Sequence, residues 1–156
     1  GVTCYSRAVG GAKVNDARFW WRRDFEGVQP DLVTLAYGYN DKSNTVPVGY
    51  YRYALNDYID RIARATGGRA AICPISTLPG GAQRFWMLDD FAQAVRDLSA
   101  ERGDVTCIDL AAQIKPMGRL QWMTYLGDLA HPNIAGHEWL AEALADWIVE
   151  RVEAEG

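Results

Sequence analysis

"DLVTLAYGYND", residues 31–41, decides the fold. Leu32 to Ala36 is an almost unbroken apolar run, and a run without a polar face suits a strand covered on both sides. It stops at Gly38, and Tyr39, Asn40 and Asp41 follow, each able to hydrogen-bond through its side chain. A buried strand that delivers polar side chains at its carboxyl end is the repeating unit of a parallel α/β sheet.

Three further runs have the same character: "VTCYSRAVGG" (2–11), "RAAICPIS" (69–76) and "DVTCIDLA" (104–111). Helical patterns separate them. Residues 46–66 place Tyr51, Leu55, Tyr58, Ile59 and Ile62 at helical spacing and are closed by Gly67 and Gly68. Residues 87–103 repeat the device with Leu88, Phe91, Val95 and Leu98 before Gly103, and a last helix is predicted from about Ala135 to Val152. Strands alternating with helices predict a three-layer α/β/α domain with a flavodoxin-like parallel sheet, a single domain over residues 1–156.

Composition narrows the function. The 156 residues are 49% hydrophobic, enough for a sizeable core, and carry a formal charge of −4. The 16 Lys and Arg are scattered, so no nucleic-acid partner is expected. No apolar run approaches the roughly 18–20 residues of a membrane span, and no signal-like segment opens the chain. Cys4, Cys73 and Cys107 lack the paired spacing of a metal or redox site and read as buried thiols.

In such a sheet the loops after the strands gather the reactive groups. After the first run comes Gly10-Gly11, after the second Asn40-Asp41, and after the third the glycine-rich "STLPGGAQ" (76–83). Further on, "GDLAHPN" (127–133) sets Asp128 and His131 three residues apart before a helix. A backbone amide, a side-chain amide, an imidazole and a carboxylate on one rim are the equipment of acyl transfer.

The order of these segments resembles the SGNH (GDSL-like) hydrolase superfamily. "YGYND" is similar to its third block, Gly-x-Asn-Asp; "DLAHPN" is similar to its fifth, Asp-x-x-His-Pro; and "SRAVGGAKVND" is similar to its second. The likeness runs along essentially the whole chain. It implies His131 as general base, Asp128 as the residue that orients it, and Gly11 (backbone N–H) and Asn40 (side-chain amide) as oxyanion donors. It requires no metal or cofactor, and activity should fall once the imidazole is protonated. Tyr39, Trp86 and Gly10 are candidate substrate contacts, and residues 77–86 a candidate lid. An acyl or acetyl ester of a carbohydrate is the expected substrate, since the chain is rich in aromatics suited to sugar rings. The alternative is a non-catalytic binding or structural module on the same scaffold.

The nucleophile departs from the pattern. No Gly-Asp-Ser occurs, and the four serines, Ser6, Ser43, Ser76 and Ser99, lie outside any Gly-x-Ser-x-Gly elbow. In folds of this kind the strand bearing that block lies inside the sheet, between the strand before Gly11 and the one before Asn40. Its absence would leave two ladders unpaired, at roughly 1–3 kcal/mol for each buried polar group. A complementing N-terminal segment or chain carrying Gly-Asp-Ser is therefore expected from outside the numbered residues.

Plainer readings compete at each position. Asp128 can cap the following helix, Asn40-Asp41 can close a turn, and Gly10-Gly11 can be a tight turn or a weak phosphate cradle. His137 reads as a surface or packing residue. "RFWWRRDF" (18–25) reads as an amphipathic helix against the sheet, or else as cleft lining. Two histidines without HExxH or clustered acids argue against a metal site.

Overall fold

A computed structural model describes residues 2–155. Leu32–Ala36 forms β1 and Ala71–Ile75 forms β2, paired in parallel with Leu32 opposite Ala71 and Ala36 opposite Ile75. Residues 105–108 run along the far edge of β2: Thr106 N–H donates to Ile72 O at 3.3 Å, Ile108 N–H to Pro74 O at 2.9 Å, and Ser76 N–H to Ile108 O at 3.0 Å. Three of the four predicted strand segments thus lie side by side in the expected parallel sense.

The fourth does not. Residues 2–11 are exposed and make no strand among the described residues. An extended segment needs a neighbouring ladder for its N–H and C=O groups, and the described residues offer none there. Cys4 accordingly is exposed rather than buried, whereas Cys73 is buried. Cys107 is partly buried, and burial pushes its thiol up to about 11.

The helices form where periodicity and end signals agree. Helix α1 is Val14–Ala17, α2 Trp21–Phe25, α3 Tyr39–Ser43 and α4 Val48–Ala65. Pro47 precedes α4, and Thr66 closes it by donating its hydroxyl to Ile62 O at 2.9 Å. After β2 come α5 (Arg84–Met87) and α6 (Asp89–Arg102), then α7 (Leu110–Ile114), a 3-10 turn, α8 (Gly118–Met123) and α9 (Ile134–Glu155). None of the helices among the described residues is long and apolar enough to cross a membrane.

Two layers of helix flank the sheet. On one face Val33, Leu35 and Ile72 pack with Leu55, Tyr58, Ile59 and Ile62 of α4 and with Phe91, Val95 and Leu98 of α6. On the other, Cys73, Ile108 and Leu110 meet Leu140, Ala143, Leu144 and Trp147 of α9. This second layer reaches β1 at Leu32 and leaves Thr34 and Ala36 exposed on that face. The edge of β1 away from β2 pairs with no strand among the described residues.

Residues 18–25 are not the single amphipathic helix expected. The helix breaks between α1 and α2, and Phe19 turns outward beneath the guanidinium groups of Arg18 and Arg61, at 4.6 and 5.1 Å from the ring centre. Buried Asp24 accepts a hydrogen bond from Tyr58 at 3.1 Å, tying α2 to α4. Trp20, Trp21 and Phe25 pack against the same core as α4.

Candidate active site

At the carboxyl end of β1 the chain must turn at once into α3. Gly38 makes that turn at φ +114°, and a Cβ there would overlap Thr77 Oγ1 and lie 2.8 Å from Thr77 Cγ2. Thr77 follows β2 and donates to Tyr37 O at 3.0 Å, so the ends of the two strands are locked together. The turn places Asn40 and Asp41 in the first turn of α3. The Asn40 amide donates to Ala12 O at 3.2 Å. Asp41, fully buried, accepts from Gly38 N–H at 3.2 Å and from Val14 N–H at 3.1 Å. Burial pushes its carboxyl above the usual range, and the backbone amides of Val14 and Gly38 oppose that shift.

The segment thus held is residues 10–14. Gly11 has φ +75°, in a turn closed by Ala12 N–H donating to Val9 O at 3.2 Å. Gly10 and Gly11 are both exposed.

The Asp128/His131 pair is formed as a unit. Asp128 Oδ2 lies 2.8 Å from His131 Nδ1, and Oδ1 accepts the backbone N–H groups of Ala130 and His131 at 2.6 and 2.7 Å. These bonds, that to the His131 ring foremost, pull the Asp128 carboxyl down to about 2. Asp128 does not cap α9; Asn133 does, accepting from Gly136 N–H at 3.0 Å. The carboxylate is therefore spent on the imidazole and its own turn. The His131 side chain is 81% exposed. His137 is exposed on α9, in keeping with the surface reading.

Because the lowered value favours the ionised form, Asp128 supports this turn at neutral pH and releases it only as pH falls towards 2. Carboxyl carbon NMR is expected to show Asp128 titrating near 2, about two units below a free aspartate. A midpoint near 4 would mean that the carboxylate does not hold the ring.

Residues 77–86 are pinned and do not form the free lid expected. Buried Trp122 donates its indole N–H to Pro79 O at 2.8 Å. Gly81 N–H and the Tyr39 hydroxyl both donate to Leu129 O, at 2.9 and 3.2 Å, and Arg84 donates to the Tyr39 hydroxyl at 2.6 Å. One cleft lies among these segments, and Ala12, Tyr39, Asn40, Thr77, Ala130 and Pro132 are among its walls. It joins the neighbour of Gly11, Asn40 itself and the two residues flanking His131. Trp86 is not among its walls: the ring is 56% exposed, edge-on to Phe85 and beneath Arg119. Asp41, Thr77 and Trp122 stand out in the sequence only as a neighbour of Asn40, a member of the glycine-rich segment and an aromatic that could flank the cleft; their tying roles come from partners remote in sequence.

Two of the four serines are buried and engaged with the backbone. Ser76 is buried and accepts from Ala111 N–H at 2.9 Å, while Ser99 is buried and donates to Val95 O within α6. Ser43 ends α3, and Ser6 lies in the exposed segment before Gly11. No group of three or more His, Cys, Asp or Glu gathers as metal ligands among the described residues.

Known proteins share this family profile and this fold. The profile of the GDSL-like lipase/acylhydrolase family matches residues 1–139. No curated protein matches the chain in sequence. Among solved structures, the acetyl xylan esterase AlAXEase superposes with a TM-score of 0.78 at 15% identity, over 90% of this chain and 78% of that one. Axe2, an acetylxylan esterase from Geobacillus stearothermophilus, gives 0.69 at 22% identity, over 86% and 66%. A peptidoglycan O-acetylesterase gives 0.73 at 21% identity, over 92% and 45%.

Proposed function

The chain belongs to the GDSL-like lipase/acylhydrolase family, and on that premise we propose that it is a serine esterase that removes small acyl groups, acetyl above all, from a carbohydrate. The observation that carries this reading is the cleft shared by Ala12, Asn40 and the two neighbours of His131, with Asp128 already bonded to the imidazole. His131 takes the proton of a serine hydroxyl as its oxygen attacks the ester carbon. Gly11 N–H and the Asn40 amide receive the oxyanion. The proton then passes to the departing alcohol, and water releases the acid from the acyl-enzyme by the same steps. Tyr39 lines the cleft and is the residue best placed to contact substrate; Gly10 and Trp86 are proposed only as outer contacts.

The serine belongs to a segment outside residues 1–156, which pairs with the open edge of β1 and completes the domain. Support comes from that unpaired edge and the exposed Thr34 and Ala36 beside it, and from the hydrogen bonds that hold Ser76 and Ser99 in the interior. Acetyl carbohydrate is favoured because the two acetyl xylan esterases and the peptidoglycan O-acetylesterase share this fold.

The full-length protein is expected to hydrolyse p-nitrophenyl acetate, and Asn40→Ala to lower kcat by about 100-fold through loss of one oxyanion donor. Residues 1–156 alone should be inactive and regain turnover with a segment bearing Gly-Asp-Ser. A folded full-length protein with no turnover above buffer would instead support the non-catalytic module.

A further inference from the structure

We infer that Asp41 is the positioning residue that sets the distance between the two oxyanion donors, an assignment that rests on the esterase reading above. The donors come from segments 29 residues apart in sequence, and no shared element holds them. Asn40 rides on α3, whereas Gly11 sits in an exposed turn whose sequence before it makes no strand among the described residues. The Asp41 carboxylate bridges the two. One oxygen lies 3.1 Å from Val14 N and the other 3.3 Å from Val14 N and 3.2 Å from Gly38 N. Gly38 begins the turn that carries Asn40, and Val14 is the first residue of α1, three after Gly11. The Asn40 side chain adds a second tie beside it, to Ala12 O.

A buried carboxylate next to a developing oxyanion is electrostatically adverse unless its charge is satisfied elsewhere, and here the backbone amides of Val14 and Gly38 satisfy it. Neither oxygen is left to touch a substrate, since Asp41 is fully buried. Its role is geometric: it anchors the Gly11 loop to the strand end that presents Asn40. A displacement of about 1 Å at such a site costs on the order of 100-fold in rate.

Two variants of the full-length protein test this. Asp41→Asn keeps the shape but presents an amide N–H₂ to at least one of the backbone donors. Val14→Pro deletes the opposing N–H at the first position of α1, where proline is tolerated and where Lys13 already has the extended conformation that proline requires before it. With p-nitrophenyl acetate, each is expected to lower kcat at least about tenfold while KM stays within about twofold. Hydrogen exchange across residues 10–14 should quicken in both. A merely structural loss also lowers apparent kcat at constant KM through the active fraction, so kcat is referred to the folded fraction that the thermal melt gives at the assay temperature, and a purely structural effect then leaves kcat per folded molecule unchanged. A folded variant with unchanged kcat overturns the assignment, and so does unchanged exchange at residues 10–14. If Asp41→Asn fails to fold, Val14→Pro decides alone. An inactive wild-type protein would defeat the esterase reading, while the exchange measurement would still report whether the carboxylate holds the loop.

Discussion

His131→Ala in the full-length protein is expected to lower kcat/KM for p-nitrophenyl acetate by about 10⁵-fold, the largest effect of any single substitution in the chain. The imidazole would be the group that accepts the serine proton and returns it to the leaving alcohol, so its loss removes both halves of the proton transfer. The substitution should leave the fold intact. The side chain is 81% exposed, and the ring's hydrogen bond is to Asp128, itself at the surface. Asp128 would keep its bonds to the amides of residues 130 and 131. The melting temperature should therefore move by no more than a degree or two. Steady-state kinetics with a circular dichroism melt would check both halves, and a loss of less than tenfold would remove His131 from the chemistry.

Gly38→Ala should do the opposite, costing stability and activity together. A left-handed backbone at φ +114° costs a residue with a Cβ about 1–3 kcal/mol, and the overlap with Thr77 adds a similar amount. A total of about 3 kcal/mol or more is a large share of the 5–15 kcal/mol typical of a domain, and corresponds to a melting temperature lower by roughly 6–12 °C. Turnover should fall as well, because the same turn aims Asn40 at Ala12 and holds Asp41. Adding Thr77→Ala relieves the collision but not the backbone strain, so the double variant should recover part of the stability and not all of it. Thermal unfolding of the single and double variants checks this. Equal stability of Gly38→Ala and wild type would mean that the turn re-forms without cost.

The parts of the fold that could be read in advance are those with local causes. The periodic apolar residues of 46–66 and 87–103, with glycines just beyond, became α4 and α6 within two residues at each end. The Asp128/His131 pair was legible for the same reason, since three residues along one turn suffice to bring the groups together. The SGNH resemblance then assigned a family that the match over residues 1–139 bears out.

What failed had distant causes. Residues 2–11 have the composition of a strand, yet a strand exists only with a paired strand beside it, and they pair with none among the described residues. The segment 77–86 has the glycines of a lid, but Trp122, Tyr39 and Leu129, remote in sequence, fasten it.

Sequence by itself determined the alternation of buried strands and amphipathic helices, the positions of the turns and the Asp128/His131 contact, because each depends on neighbours within one or two turns of chain. Only the tertiary structure decided that Asn40 meets Ala12, that Asp41 serves Val14 and Gly38 at once, and that one edge of β1 stays unpaired among the described residues. Those outcomes depend on which strand ends are brought side by side. That is settled by burying the faces of α4, α6 and α9 against one sheet, a balance summed over the whole chain and carried by no short stretch of it.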